Sequence, residues 1–377
     1  TAFTFLFADE WRQFKTIIIP LLEGNASWSV IFTNHHPYPV LHLLQLINVL
    51  GFDYHPEYQA FFGIFFQGLI GIVLILYFLK STKSRLSQIH QTFFCIAVII
   101  ILFGFNSSIV YSWPLIGISQ FIFFLALVTY IATEQYLQQR SPGLLIAAVA
   151  FSLGLLFSNG DSGVLFVGAL IVVLIAVGIW DRRSWLPAFL FFVAIVFYKI
   201  FLYSLSVPVS PGETGHISIS FANIIPNIPD LLLGYAVGIS SGLFNLSLIS
   251  TKFPWLSVPL LIFSLLLVIV QIAVFVFYVR KVKHGESVIP VVLTVVGLVF
   301  FISIALFRYQ PGENSFWIFA APRYGSVYRL PIIGLLWALA LLWPKDIKKT
   351  VVAVSAVLTF VVLFLLLVQT IVLWKDS

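Results

Sequence analysis

The sequence predicts an all-α membrane protein, a polytopic transmembrane helix bundle of about 10–11 spans with further interfacial helices in its outer loops. Three observations lead there. Of 377 residues, 60% are hydrophobic and only 9% charged, with a mean hydropathy of +1.06. A water-soluble domain carries about 25% charged residues, so this chain cannot clothe a soluble surface. Ten apolar runs lie near 56–79, 91–111, 115–133, 143–158, 162–180, 185–206, 258–279, 287–306, 328–343 and 350–373. Finally, when alternate connections are assigned to opposite sides, 12 of the 20 Lys and Arg fall in the short loops of one side. Short basic loops stay cytoplasmic, which sets that side as inner and supports the list of spans.

The same numbers exclude other classes. So few charges leave no nucleic-acid-binding surface. The lone Cys95 allows neither an internal disulfide nor a cysteine metal cluster. Met is absent, and residues 1–7 read as the tail of a truncated helix, with the remnant of a cleaved signal peptide as the alternative. The chain reads as a single integral membrane domain, 1–377, with no repeat of fixed period.

The outer loops 8–55, 207–257 and 307–327 are longer than connection requires, which places the working face outside. Ten of the 14 acidic residues and five of the seven His fall at or beyond the outer boundary. Within the first loop, 11–22 and 39–50 read as helices at the interface or as shallow re-entrant segments. The second loop is broken by Pro208, Pro211, Pro226, Pro229 and Pro254, and its stretch 230–249 reads as interfacial or re-entrant.

Five groups can carry chemistry. Asp9-Glu10 is a carboxylate pair directly after the helix stub, suited to a base, a metal ligand or a hydroxyl acceptor; either residue can also cap the helix starting near Trp11. Asn34-His35-His36-Pro37 is dense in polar groups. Its His can contact a sugar or phosphate, or join Asp9 and Glu10 on a divalent metal, the one cofactor this composition suggests. Ser158-Asn159-Gly160-Asp161-Ser162 is an outer turn in which Gly and Asn would supply left-handed backbone, with Asp161 as a further acceptor. Arg308, Tyr309, Arg323, Tyr324, Tyr328 and Arg329 gather in the third loop and its flank. Arg forks suit phosphate oxygens, although Arg329 fits a snorkelling interfacial side chain better. Lys199 lies within a span, where a cation is costly and thereby a functional candidate.

These features resemble the GT-C superfamily of membrane glycosyltransferases, in an uncharacterised bacterial branch. Phe7-Ala8-Asp9-Glu10-Trp11 matches the acidic pair that such enzymes carry after their first span, and interfacial helices follow it in the same loop. Asn34-His35-His36-Pro37 and Pro322-Arg323-Tyr324 match an outer His/Asn-Pro segment and a late Arg-Tyr motif. The resemblance implies transfer of a sugar from a polyprenyl-phosphate donor to a lipid, glycan or protein acceptor on the extracytoplasmic face of the cell envelope. Asp9 would be the base, assisted by Glu10. On chemical grounds, Arg308, Arg323 and Lys199 would hold the phosphate, while His35, His36, Asp161 and Tyr324 would contact substrate. The bilayer, the lipid-linked sugar and an unknown acceptor would be its partners. Three readings stay open beside it: a flippase for a lipid-linked sugar, a non-catalytic subunit of a membrane complex, and a polymerase or ligase that uses a lipid-diphosphate sugar through the same outer Arg and His.

Overall fold

The computed structural model describes residues 14–32, 39–83, 86–103, 114–205, 225–244, 246, 249, 254–282, 285–309 and 315–342, with backbone alone at 56, 114–118, 315–317, 322 and 323. Among these residues every regular element is helical. A π turn at Phe14–Ile18 leads into α1 (Ile19–Leu22), and a 3-10 turn (Trp28–Phe32) precedes α2 (Pro39–Phe52). The long helices follow: α3 (Pro56–Thr82), α4 (Gln88–Phe103), α5 (Pro114–Gln139), α6 (Pro142–Ser158), α7 (Gly160–Gly178) and α8 (Trp185–Ser204). Then come α9 (Ile228–Ser241), α10 (Ser257–Val282), α11 (Ile289–Phe307) and α12 (Pro322–Leu342).

Nine of the ten apolar runs overlap described helices, the run 91–111 only as far as 103; its remainder and the tenth run, 350–373, lie outside the described residues. Seven helices are long and apolar enough to cross a bilayer, and α4 and α6, with 16 and 17 residues, are shorter. The chain is a multi-pass integral membrane protein. Lipid offers no hydrogen-bond partners, so each crossing must satisfy its backbone internally, as a helix does. Proline marks where several begin: Pro39, Pro56, Pro114, Pro142 and Pro322 each open a helix. Proline has no N–H to leave orphaned there, and its fixed φ suits the first turn.

The chain forms two compact units, 1–70 with 110–216 and 71–109 with 217–377. In the first, α5, α6, α7 and α8 pack together and α2 lies on α6. Its core holds Ala126, Tyr130, Leu155, Phe166, Leu170, Leu174 and Phe191. The Tyr130 hydroxyl donates to the Phe166 carbonyl at 3.0 Å, joining α5 to α7. At the predicted inner corner, Arg140 pairs with Asp181 at 3.4 Å and Trp185 Nε1 donates to the Gly178 carbonyl.

In the second unit, α12 is the central helix, packed on α4, α9, α10 and α11. Trp337 is fully buried against Tyr77, Phe78 and Phe94. A Cβ at Gly297 would run into the Pro331 ring, so this glycine lets α11 and α12 approach closely. Helix α9 is buried all round from Ala236 to Ser241. The stretch expected to be interfacial or re-entrant is thus enclosed by its unit at this end. Helix α10 is peripheral, with only Ser264, Gln271, Val274, Tyr278 and Val282 buried.

Candidate functional site

Helix α2 has its amphipathic character inverted. It buries all its polar residues, His42, Gln45 and Asn48, beside Pro39, Leu41 and Leu46, and exposes Leu43, Ile47, Leu50 and Phe52, the last four at 38%, 54%, 70% and 48%. A helix at a water-facing surface would do the reverse. Here the apolar side suits lipid, and the polar side turns into the protein. The expected helix at 39–50 is therefore present, but its polar residues are not anchors reaching for water.

The π turn Phe14–Ile18, the 3-10 turn Trp28–Phe32 and α6 pack against α2. His42 Nδ1 lies 2.8 Å from the Ile31 carbonyl oxygen. A carbonyl only accepts, so Nδ1 carries the proton and Nε2 is left as a bare lone pair. Burial, partly opposed by that hydrogen bond, pushes the His42 pKa down to about 4. The ring is accordingly neutral at pH 7. One turn on, Gln45 is fully buried, and neither atom of its amide has a hydrogen-bond partner among the described residues. The same holds for His42 Nε2 and for both amide atoms of Gln59 on α3.

Asn48 acts as a clamp between α2 and α3. Its amide donates to the His55 carbonyl at 2.8 Å and accepts the His55 N–H at 3.0 Å. This holds Asp53 and Tyr54 at φ 51° and 58°, a left-handed pair without glycine. Each such residue costs on the order of 1–2 kcal/mol, which the clamp must offset.

Aromatic packing leads from α2 to the second part of this end. Phe32, next to Ile31, meets Phe201 edge-on at 5.5 Å; Phe201 meets Phe157 at 5.1 Å, and Phe157 meets Tyr198 at 5.3 Å. Tyr198 is buried against Gly160, where any Cβ would fall inside the phenol. Asp161 follows in the first turn of α7, exposed and close enough to act electrostatically on Tyr198. Lys199 is exposed with Nζ 6.0 Å from the Tyr198 ring centre. The turn before α7 departs from expectation: no residue of 158–162 is left-handed. Asn159 is extended instead and caps α7, its side chain accepting the Ser162 N–H. Gly160 is needed for the close approach of Tyr198, a long-range demand that a local turn reading misses.

In the second unit, Arg308 caps the end of α11 and is exposed. Tyr309 is buried; its hydroxyl donates to Asp230 at 3.4 Å, and its ring stacks on Phe319. Tyr324 is half-buried one turn from Tyr328. Arg323 lies in the first turn of α12, and its side chain is outside the described residues. Arg329 corrects the snorkelling expectation. It is 2% exposed, and Nη1 donates to the Leu102 carbonyl at 3.3 Å, in the last turn of α4. The last carbonyls of a helix lack partners within it and carry partial negative charge, so a cation is stabilised there.

The catalytic candidates Asp9 and Glu10, and His35 and His36, lie outside the described residues. So do all three proposed metal ligands, Asp9, Glu10 and His36. Among the described residues no three His, Cys, Asp or Glu gather into a metal-binding group. Sequence reasoning missed His42, Gln45, Gln59 and the buried role of Arg329. The available signal was an inverted pattern in 39–52, where the polar positions 42, 45 and 48 share one helical face. No protein family, curated protein or solved structure matches the chain.

Proposed function

We propose that the chain is a GT-C-type membrane glycosyltransferase, which moves a sugar from a polyprenyl-phosphate donor to a lipid, glycan or protein acceptor on the extracytoplasmic face. The observation that carries this reading is the inverted helix α2. It sets a lipid-facing apolar side and a buried polar side back to back in the loop that also holds Asp9-Glu10. A lipid-linked sugar has the same two-sided character.

In this mechanism the Asp9 carboxylate takes the proton of an acceptor hydroxyl. The hydroxyl oxygen bonds to the anomeric carbon as the bond from that carbon to the phosphate oxygen breaks. The electron pair leaves with polyprenyl phosphate, now a monoester. Arg308, Arg323 and Lys199 are the cations assigned to that growing charge. Glu10 assists Asp9, or joins it and His36 on a divalent metal.

The test is turnover of purified protein with polyprenyl-phosphate sugars, beside Asp9→Asn. Loss of a base is expected to cut turnover by about 10²–10⁴-fold. Unchanged turnover in Asp9→Asn removes Asp9 from the base role. Absence of turnover with every donor, together with no donor-dependent stabilisation, favours the structural or transport readings. One observation favours transport specifically. Gln271, buried in the middle of α10, accepts from the Tyr235 hydroxyl at 3.4 Å and is a polar pair well inside a span. Flipping of a lipid-linked sugar in proteoliposomes, lost in Gln271→Leu, would establish that alternative.

A further inference from the structure

We infer that the buried face of α2, at His42 and Gln45, is a recognition subsite for the hydroxyl groups of a neutral polyol. The inference deepens the glycosyl-transfer reading and rests on it only for naming the polyol as a sugar.

Five buried side-chain atoms on His42, Gln45 and Gln59 have no partner among the described residues. Leaving a buried polar group unsatisfied costs about 1–3 kcal/mol, so such groups are rarely kept without a use. Leucine at 45 would fill similar volume without that cost. His42 and Gln45 lie three residues apart on one helix face, and so are neighbours. Gln59 lies on α3, four residues past His55, the hydrogen-bond partner of Asn48 on α2; the subsite itself rests on His42 and Gln45.

The donor and acceptor pattern narrows the ligand. His42 Nε2 is a pure acceptor because Nδ1–H is committed to Ile31. A phosphate oxygen also only accepts and would be repelled there. A hydroxyl donates to it. The Gln45 amide offers both a donor and an acceptor, which suits a second hydroxyl. No described cation lies on this face of α2, whose buried residues are Pro39, Leu41, His42, Gln45, Leu46 and Asn48. The subsite therefore reads the uncharged, hydroxylated part of a ligand. The polyol is the donor's sugar or a sugar of the acceptor.

The experiment uses full-length protein in nanodiscs, free of sugar-based detergent. Unfolding temperature is measured with polyprenyl-phosphate glucose, with bare polyprenyl phosphate, and with free glucose, mannose and N-acetylglucosamine at millimolar concentration. Wild type, Gln45→Leu, Gln45→Asn and Asp9→Asn are compared. The expected result is a Gln45→Leu protein at least as stable as wild type without ligand, with affinity for a sugar-bearing probe reduced about tenfold or more and its response to bare polyprenyl phosphate intact. Stabilisation by the lipid-linked sugar alone assigns the donor sugar; stabilisation by free saccharide assigns the acceptor.

Three results would overturn the subsite: destabilisation of the unliganded protein by both Gln45 variants, which assigns the amide's partners to the chain itself; unchanged sugar affinity in Gln45→Leu; or no sugar-dependent stabilisation of wild type. If sugar binding depends on Gln45 while no variant turns over, the subsite stands and glycosyl transfer falls.

Discussion

Helix α2 in the first unit and helix α12 in the second bury different kinds of polar group. In the first, the face of α2 holds neutral groups, an imidazole and an amide, with atoms left over for something else. In the second, α12 buries a permanent cation, Arg329, whose Nη1 meets the end of α4, and a hydroxyl–carboxylate contact joins Tyr309 to Asp230. A buried charge without a counterpart costs several kcal/mol, so its surroundings must be built around it. A buried neutral amide costs less and can wait for a ligand. The comparison teaches where to look for function in a chain so poor in charge. Of these two groups the neutral one is the more telling, because Arg329 has structural work at hand.

The largest expected effect breaks the second unit. Arg329→Ala opens a cavity and removes a charge-assisted hydrogen bond from the end of α4, a loss of about 3 kcal/mol. Hydrogen exchange should rise at the C-terminal turn of α4 and in α12. No change there would show that the Leu102 contact has no structural weight.

Mild acid separates the two units without mutation. Arginine stays charged throughout, so the Arg329 contact ignores pH. His42 does not: its folded pKa, about 4, lies below the ordinary 6.5, so the unfolded chain binds the extra proton first. Stability is full above about pH 6.5 and falls as pH drops towards 4, by about 2 kcal/mol at pH 5. The loss should appear as faster exchange in α2 and should vanish in His42→Gln. A flat profile between pH 7 and 5 would contradict the buried neutral ring.

The smallest effect sharpens the picture of how α2 is held. Asn48→Ala removes both hydrogen bonds that restrain the left-handed pair at Asp53 and Tyr54, a loss of about 1–2 kcal/mol. Adding Tyr54→Gly, which removes a Cβ from a left-handed position, should restore part of it. Unfolding temperature of the single and double variants checks both.

The spans were legible because lipid enforces them: a run of about 20 apolar residues has few other fates. Less legible was which side of a helix meets protein. Residues 39–50 read as interfacial in either case, since apolar residues face lipid at the surface of a bilayer and face the core in water. Only packing shows that His42 and Gln45 point inward. Arg329 was misread for a related reason. An Arg near a span's end fits a snorkelling role locally, and its carbonyl partner lies 227 residues away in sequence. Gly160 is similar, its requirement set by Tyr198 on another helix.

Helix α10 carries a consequence of its own. Its span is 11% buried, against 72% for that of α12. Hydrocarbon tails do not distinguish Leu from Ile, Val or Phe, so most of α10 can exchange one for another at no loss. Ser264, Gln271 and Tyr278, spaced by seven, are the exceptions. A saturation scan of the chain should therefore divide these helices by substitution tolerance. Helix α10 would read as a nearly free apolar text with three fixed letters, and α12 as one in which almost every letter is fixed.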